Sequence, residues 1–289
     1  MGLNNIVDVT TGEGSSTSFL ILGKSKTALI DCGMAYCAPN LIENIKKVLH
    51  HSRKLDYILL SHSHYDHISG IPYLKKIWPD VKVMAAPYAQ NILTKQSALK
   101  TIKELNNQSA AYYGFNGSID YDDSLMKVDH TLLEGDSLNL GNESIYILET
   151  PGHTKCSLSF LVNDDIIFPS ETSGCMGKSE KIYPAFIISY KQTINSIHKC
   201  QKTNSKYIVS PHFGLVSKSK TLTYWEECIE IVNETRNFVL KLYAAGFDED
   251  KIFEKFEKTF RNKESRSSQP DYAFEINNRA MIKSIINNK

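Results

Sequence analysis

The chain has no apolar run near the roughly 18–20 residues that a helical membrane span needs, and almost no charge imbalance, +1 in 289 residues. The first absence sets aside an integral helical membrane protein. The second gives no bulk electrostatic reason to expect a nucleic-acid or lipid-surface partner. The opening Met1-Gly2-Leu3-Asn4-Asn5-Ile6 has neither a basic segment nor an apolar one, so it does not read as an export signal. Ile6 stands where a myristoylation pattern after Gly2 wants Ser or Thr. No Cys-x-x-Cys pair occurs among the six cysteines, Cys32, Cys37, Cys156, Cys175, Cys200 and Cys228. They read as reduced, mostly buried thiols, and the expected compartment is the cytoplasm. No nucleophile elbow supports a Ser/His/Asp mechanism, and there are no repeats or long low-complexity tracts. With 42% hydrophobic residues the chain can bury a large core, as one domain or one plus an appendage.

What is present is concentrated in Ser61-His62-Ser63-His64-Tyr65-Asp66-His67. Three histidines and one aspartate fall within six consecutive positions, directly after the apolar run Tyr57-Ile58-Leu59-Leu60. That run is β-prone and free of Gly and Pro, so it predicts a buried strand whose end delivers the polar cluster. Imidazole nitrogen and carboxylate oxygen suit Zn, Fe or Mn. Four donors in one loop are more than a single tetrahedral ion takes from one segment, which points to two ions sharing the loop. An exposed His-rich tract would need neither the strand nor the ordered spacing.

The same habit recurs along the chain. Ser18–Leu22 and Thr27–Asp31 predict a hairpin turning at Gly23–Lys26. A helix is expected around Leu41, Ile42, Ile45 and Val48, and another over Gly70–Trp78 with Pro72 in its first turn. Val81–Ala86 reads as a strand, Pro87 opens a helix, and Ser97–Gly114 reads as an exposed helix. Tyr112, Tyr113 and Phe115 at its end are expected to pack or to line a pocket. Val128–Leu140 and Glu143–Leu148 read as antiparallel strands with turns at Glu134-Gly135-Asp136 and Gly141-Asn142. The second of these strands runs into Pro151-Gly152-His153. Leu158–Val162 and Ile166–Phe168 form another hairpin, after which stand Ser170 and Glu171. A helix near Tyr190–Cys200 leads to the strand Tyr207–Val209 and then to Pro211-His212. Donors therefore follow strands at 62–67, 153, 171 and 212. From Thr221 the pattern is helical to Gly246. Asp248 caps a helix bearing Ile252, Phe253, Phe256 and Phe260. Arg261–Pro270 reads as a polar linker, and Tyr272–Ile286 as an amphipathic helix with Phe274, Ile276, Met281 and Ile285 on its apolar face.

The His-x-His-x-Asp-His run, with histidines at 153 and 212, resembles the metallo-β-lactamase superfamily over roughly residues 10–218. The resemblance implies an α+β fold, the four-layer αββα sandwich, with a catalytic metal-binding domain over 1–218 and a C-terminal helical cap over 219–289. It implies that His62, His64 and His153 hold one metal, and that Asp66, His67 and His212 hold the second. The bridging carboxylate, an Asp after a Gly in the family, falls here on Glu171 after Ser170. Asp31 takes the place of an aspartate that supports the metal loop. The cofactors implied are two divalent transition-metal ions, Zn first and Fe or Mn otherwise. The activity implied is hydrolysis of a small ester, thioester or lactone-like substrate by a metal-bridging hydroxide, with Asp66 as the catalytic carboxylate. Gly70-Ile71-Pro72-Tyr73-Leu74 and the helical tail are similar to the quinolone-signal-response type, associated with thioesters. Lactonase and glyoxalase II-like readings stay open, and so do a phosphodiesterase and a metal-binding regulatory protein with little turnover. Expected partners are a small-molecule substrate, no nucleic acid and no membrane, with a homodimer allowed. Cys156 and Cys175 are expected to be buried thiols, with a thiolate-ligand role as the alternative.

Overall fold

Strand β1 (Ile6–Asp8) starts the chain's first sheet, followed by β2 (Phe19–Leu22), β3 (Thr27–Ile30), β4 (Tyr57–Leu59), β5 (Lys82–Ala85) and β6 (His130–Thr131), in that spatial order. The computed structural model describes residues 3–14, 16–50, 53–117 and 119–288, so the readings at Met1 and Gly2 lie outside the described residues. The chain divides into two units, one of residues 1–148 with 160–164 and one of 149–159 with 165–289.

In the first unit β1, β2 and β3 pair antiparallel, and β3 to β6 pair parallel. Parallel neighbours need a long crossover. Here α1 (Ala38–Leu49) links β3 to β4, α2 (Tyr65–Ile68) and α3 (Ile71–Ile77) link β4 to β5, and α4 (Pro87–Leu93) and α5 (Gln96–Tyr112) lead on to β6. Leu29, Ile58 and Val83 fall in one register row and are fully buried. Each such side chain contributes about 1.5–3 kcal/mol on leaving water. The apolar face of α1 is Leu41, Ile42, Ile45 and Leu49, all buried. Helix α5 is less exposed than its composition suggests, because Leu99, Ile102, Asn106, Ser109 and Ala110 are buried. Beyond it, the rings of Tyr113 and Phe115 lie 6.5 and 5.6 Å from that of Tyr36.

The stretch Val128–Leu140 departs from expectation. Residues His130–Thr131 pair in parallel with β5 in the first sheet, and only β7 (Ser137–Asn139) pairs antiparallel with β8 (Ser144–Glu149). The break falls at Gly135, whose φ of +88° ends the extended run. There the Asp136 carboxylate accepts the Leu133 N–H at 2.8 Å.

Strand β9 (Leu158–Val162) leads into the second unit, where β10 (Ile166–Phe168) pairs in parallel with β13 (Tyr207–Ser210) through α6 (Tyr190–Gln201). A two-stranded ribbon, β11 (Cys175–Met176) and β12 (Ile182–Tyr183), lies between them in sequence. Strand β14 (Gly214–Leu215) turns back onto β13. After α7 (Lys218–Thr221), the long α8 (Tyr224–Ala244) packs with α6, α9 (Glu249–Phe260) and α11 (Asp271–Asn287). The Phe256 ring stands 4.6 Å from Phe260 and 6.3 Å from Phe274.

Two readings of the tail are corrected. Arg261–Pro270 is not a linker but holds α10 (Lys263–Ser268), begun by a capping box between Asn262 and Ser265. Arg261 is buried, pairs with Glu257 and Asp271 at 3.1 and 2.6 Å, and lies over the Phe274 ring. Ile276 is 58% exposed, because two residues past Phe274 is about 200° around the helix. No helix among the described residues is long and apolar enough to cross a membrane.

Candidate metal centre

The first donor set is built from the register of two parallel strands. Ile30 pairs with Leu59, and the Asp31 N–H donates to the Leu59 carbonyl at 2.9 Å, so the ends of β3 and β4 lie side by side. Asp31 then turns with φ +53° and aims its carboxylate into the loop that follows β4. That carboxylate accepts the Ser61 N–H at 2.8 Å, the Ser61 hydroxyl at 2.7 Å and His67 Nδ1 at 2.8 Å. The loop returns through α2, where the His67 carbonyl accepts the Cys32 N–H at 2.8 Å. Gly70 is required behind it, because a Cβ there would stand 2.2 Å from the Cys32 carbonyl oxygen.

Three imidazoles are thereby packed together. The His62 ring centroid is 4.6 Å from that of His64 and 4.1 Å from that of His67. His67 Nε2 lies 3.6 Å from Asp66 Oδ2. The tautomers follow from the partners. A carboxylate only accepts, so His67 Nδ1 carries the hydrogen and Nε2 keeps its lone pair. Ser61 gives its hydroxyl proton to Asp31, so its oxygen accepts from His62 Nδ1 at 3.0 Å and again leaves Nε2 as the donor atom.

The second set belongs to the other unit. Gly152, with φ +148°, brings the chain against α6, where a Cβ would stand 2.2 Å from Thr193 Oγ1. His153 follows, its Nδ1 donating to the Ala185 carbonyl and its backbone N–H donating to Thr172 Oγ1 at 3.2 Å. Glu171 starts a 3-10 turn, Glu171–Ser173, capped by the Ser170 side chain. Its Oε2 lies 3.2 Å from His153 Nε2 and its Oε1 lies 2.9 Å from His212 Nε2. His212 sits at the tip between β13 and β14 with φ +59°.

Below these ligands runs a network of buried hydroxyls that the sequence did not announce. Thr150 Oγ1 meets Ser159 Oγ at 2.8 Å and Ser170 Oγ at 3.1 Å, and Thr172 Oγ1 donates to the Thr150 carbonyl at 2.6 Å. Tyr224 joins from α8, and burial pushes its phenol well above the ordinary tyrosine value, so it stays a donor. Nothing in the local sequence marks these serines and threonines, whose partners in this network lie nine or more positions away. Asp31 was expected from the family resemblance to support the loop and does so through Ser61 and His67, whereas Ser61 stood beside the motif with no signal of its own.

Each unit thus gathers candidate ligands, His62, His64, Asp66 and His67 in one and His153, Glu171 and His212 in the other. The donor chemistry fits divalent transition metals. Three histidines are held at Nδ1 by a protein oxygen, and in each this leaves the Nε2 lone pair for a cation. Cys156 and Cys175 are outside the clustered donors. Burial, with the Asp31 charge adding to it, pushes the Cys32 thiol well above its ordinary value, and its Sγ donates to the His67 carbonyl at 3.3 Å.

The metallo-β-lactamase superfamily family model matches residues 11–168 of this chain. A metallo-β-lactamase fold-containing protein of Sulfurisphaera tokodaii is 28% identical over 208 residues, covering 70% of this chain and 74% of the relative. A hydroxyacylglutathione hydrolase of Xylella fastidiosa is 31% identical over 120 residues; the match covers 42% of this chain and 33% of the relative's length. The crystal structure of an archaeal metallo-β-lactamase superfamily protein from Sulfolobus tokodaii superposes with a TM-score of 0.64 at 21% identity, over 98% of this chain and 99% of that one. That likeness covers the C-terminal helices as well as the sheets, and the fold is the α+β fold of that family. The match over more than half of its length, which spans the histidine loop, places the chain in the metallo-β-lactamase superfamily of hydrolases.

Proposed function

We propose that the seven donors form one two-metal hydrolytic centre, with His62, His64 and His153 on one ion and Asp66, His67 and His212 on the other, bridged by Glu171. The observation that carries this reading is the reach of Glu171, one carboxylate oxygen at 3.2 Å from His153 Nε2 and the other at 2.9 Å from His212 Nε2. A carboxylate that faces one ligand of each half is where a bridge belongs, and the methylene added relative to aspartate still allows that span. Zn is the first candidate, with Fe or Mn as the others.

When bound, two such cations lower the pKa of water towards neutrality and polarise a scissile carbonyl. The protein's own part is positional. Asp31 and the Ala185 carbonyl fix the tautomers of His67 and His153. The Asp66 carboxylate orients the attacking water, holds its proton, and returns it to the departing thiolate or alkoxide. The substrate class is a small ester, thioester or lactone. The thioester is favoured by the relative named hydroxyacylglutathione hydrolase and by the resemblance to the quinolone-signal-response type. Residues 1–218 are the catalytic part in this reading and 219–289 the helical one. The bonds from the Asn262 amide to Tyr183 and from the Ser179 N–H to the Glu264 carboxylate support the helices acting on the ligand-bearing segment. Six free cysteines suit a reducing compartment such as the cytoplasm.

The test is elemental analysis of chelator-free protein together with turnover on a panel of thioesters, lactones and phosphodiesters. Close to two transition-metal ions per chain and preferred thioester hydrolysis are expected. No metal after reconstitution sinks the reading. Full metal without turnover makes the protein a regulatory one, and preferred phosphodiester cleavage moves the substrate class.

A further inference from the structure

Tyr224 is the first residue of α8, beyond the residues matched by the family, and its side chain is completely buried. Its hydroxyl donates to Ser210 Oγ at 3.0 Å and lies 3.4 Å from Ser173 Oγ. These serines sit on two different segments. Ser210 ends β13, two residues before His212, and Ser173 closes the 3-10 turn that Glu171 begins. Tyr224 spends its one hydrogen on Ser210, so Ser173 is the donor towards it, sharing its single hydrogen between the Tyr224 oxygen and the Ser170 carbonyl at 3.1 Å. One phenol therefore touches a serine hydroxyl on each of the two segments that bring Glu171 Oε1 and His212 Nε2 to 2.9 Å. His212 is in the left-handed region at φ +59°, a conformation that persists only where the surroundings hold it.

We propose that Tyr224 is a positioning residue, whose hydroxyl ties the Ser173 and Ser210 segments so that Glu171 and His212 keep the spacing of a shared cation. The inference rests on the two-metal reading and adds to it a role for the C-terminal helices in metal retention. Phenylalanine keeps the ring and its packing while deleting the tie. The sequence neighbours of Glu171 and His212 supply no other side chain that joins both segments among the bonds described.

The experiment titrates Zn²⁺ into the full-length apo-protein against a competing chelator, and records the absorption spectrum of the Co²⁺-substituted protein. Tyr224→Phe should weaken the second ion about tenfold, in the range of ligand-supporting groups, and leave the first within about twofold. The Co²⁺ band of the second site should shift. Ser210→Ala should reproduce this, and the double variant should add little, because both remove the same bond. His212→Ala, run in parallel, should lose the second ion. If Tyr224→Phe and Ser210→Ala keep both affinities and the spectrum while His212→Ala loses an ion, the tie is overturned and the two-metal reading stands. If wild-type protein takes up one ion and His212→Ala matches it, both fall. Equal weakening of both ions with a large drop in Tm shows a merely structural role and also overturns the proposal.

Discussion

Asp31 Oδ2 and His67 Nδ1 lie 2.8 Å apart although 36 positions separate them in the chain. Both side chains are nearly inaccessible to solvent, at 7% and 3% exposure. The contact exists because β3 and β4 are parallel neighbours in register, so the residue after one strand meets the loop after the other. An aspartate with three donors fixed on it sets the orientation of the whole histidine loop.

Asp31→Asn isolates that function. The Ser61 N–H at Oδ1 must keep an oxygen, so the new amide nitrogen faces His67 Nδ1 and forces its other tautomer. His67 Nε2 then carries the hydrogen and no longer offers a lone pair. Metal affinity at that position should fall about 10–100-fold, with a stability loss of about 1–3 kcal/mol. Chelator competition and urea unfolding of the same samples measure the two effects. Unchanged affinity would show that the bond does not set the tautomer.

Glu171 is tested by charge and by reach. Glu171→Gln should reduce metal content and turnover together, because a neutral amide is a poor bridge between two cations. Glu171→Asp should be milder, restoring the family residue on a turn placed for the longer arm. Elemental analysis and steady-state rates on both variants decide the matter. Full metal and full rate in Glu171→Gln would place the carboxylate outside the chemistry.

Away from the centre, Asp129 gives a pH test. Burial alone pushes its carboxyl up, but the Lys75 ammonium and the Val83 N–H, each at 2.9 Å, hold it below the ordinary 3.8. A carboxyl lowered in the folded state adds stability above its unfolded value and loses it as pH falls through the folded one. Asp129→Asn should therefore cost about 1–3 kcal/mol at neutral pH, because Lys75 stays buried without a counter-charge. Urea midpoints of metal-free protein should show a constant gap from pH 5 to 8 that narrows below about pH 4. A gap independent of pH throughout would remove the ion pair as its cause.

The sequence by itself determined the family and pointed to the candidate ligand residues. The apolar run at Tyr57–Leu60 and the spacing after it are local features, and a histidine at a strand end keeps that place in any packing. Helix faces were legible for the same reason, as with Leu41, Ile42 and Ile45 on α1. Misreadings fell where local signals were weak or cut short. Arg261–Pro270 looked like a linker because its six-residue helix, α10, is carried by a capping box rather than by an apolar face. His130–Thr131 went to β5 because partner choice between strands depends on long-range pairing.

Apart from Asp31, which the family resemblance had marked as a support, only the tertiary structure decided what holds the candidate ligands. Asp31 on His67, Thr172 beneath His153 and Tyr224 between Ser173 and Ser210 join residues 36, 19, 51 and 14 positions apart. A hydroxyl or carboxylate bonds whatever the fold brings within about 3 Å, and its own neighbours in sequence carry no trace of that partner. Ligand identity is written in side-chain chemistry along the chain, whereas ligand orientation is set by strand register and by the helix that packs behind the loop.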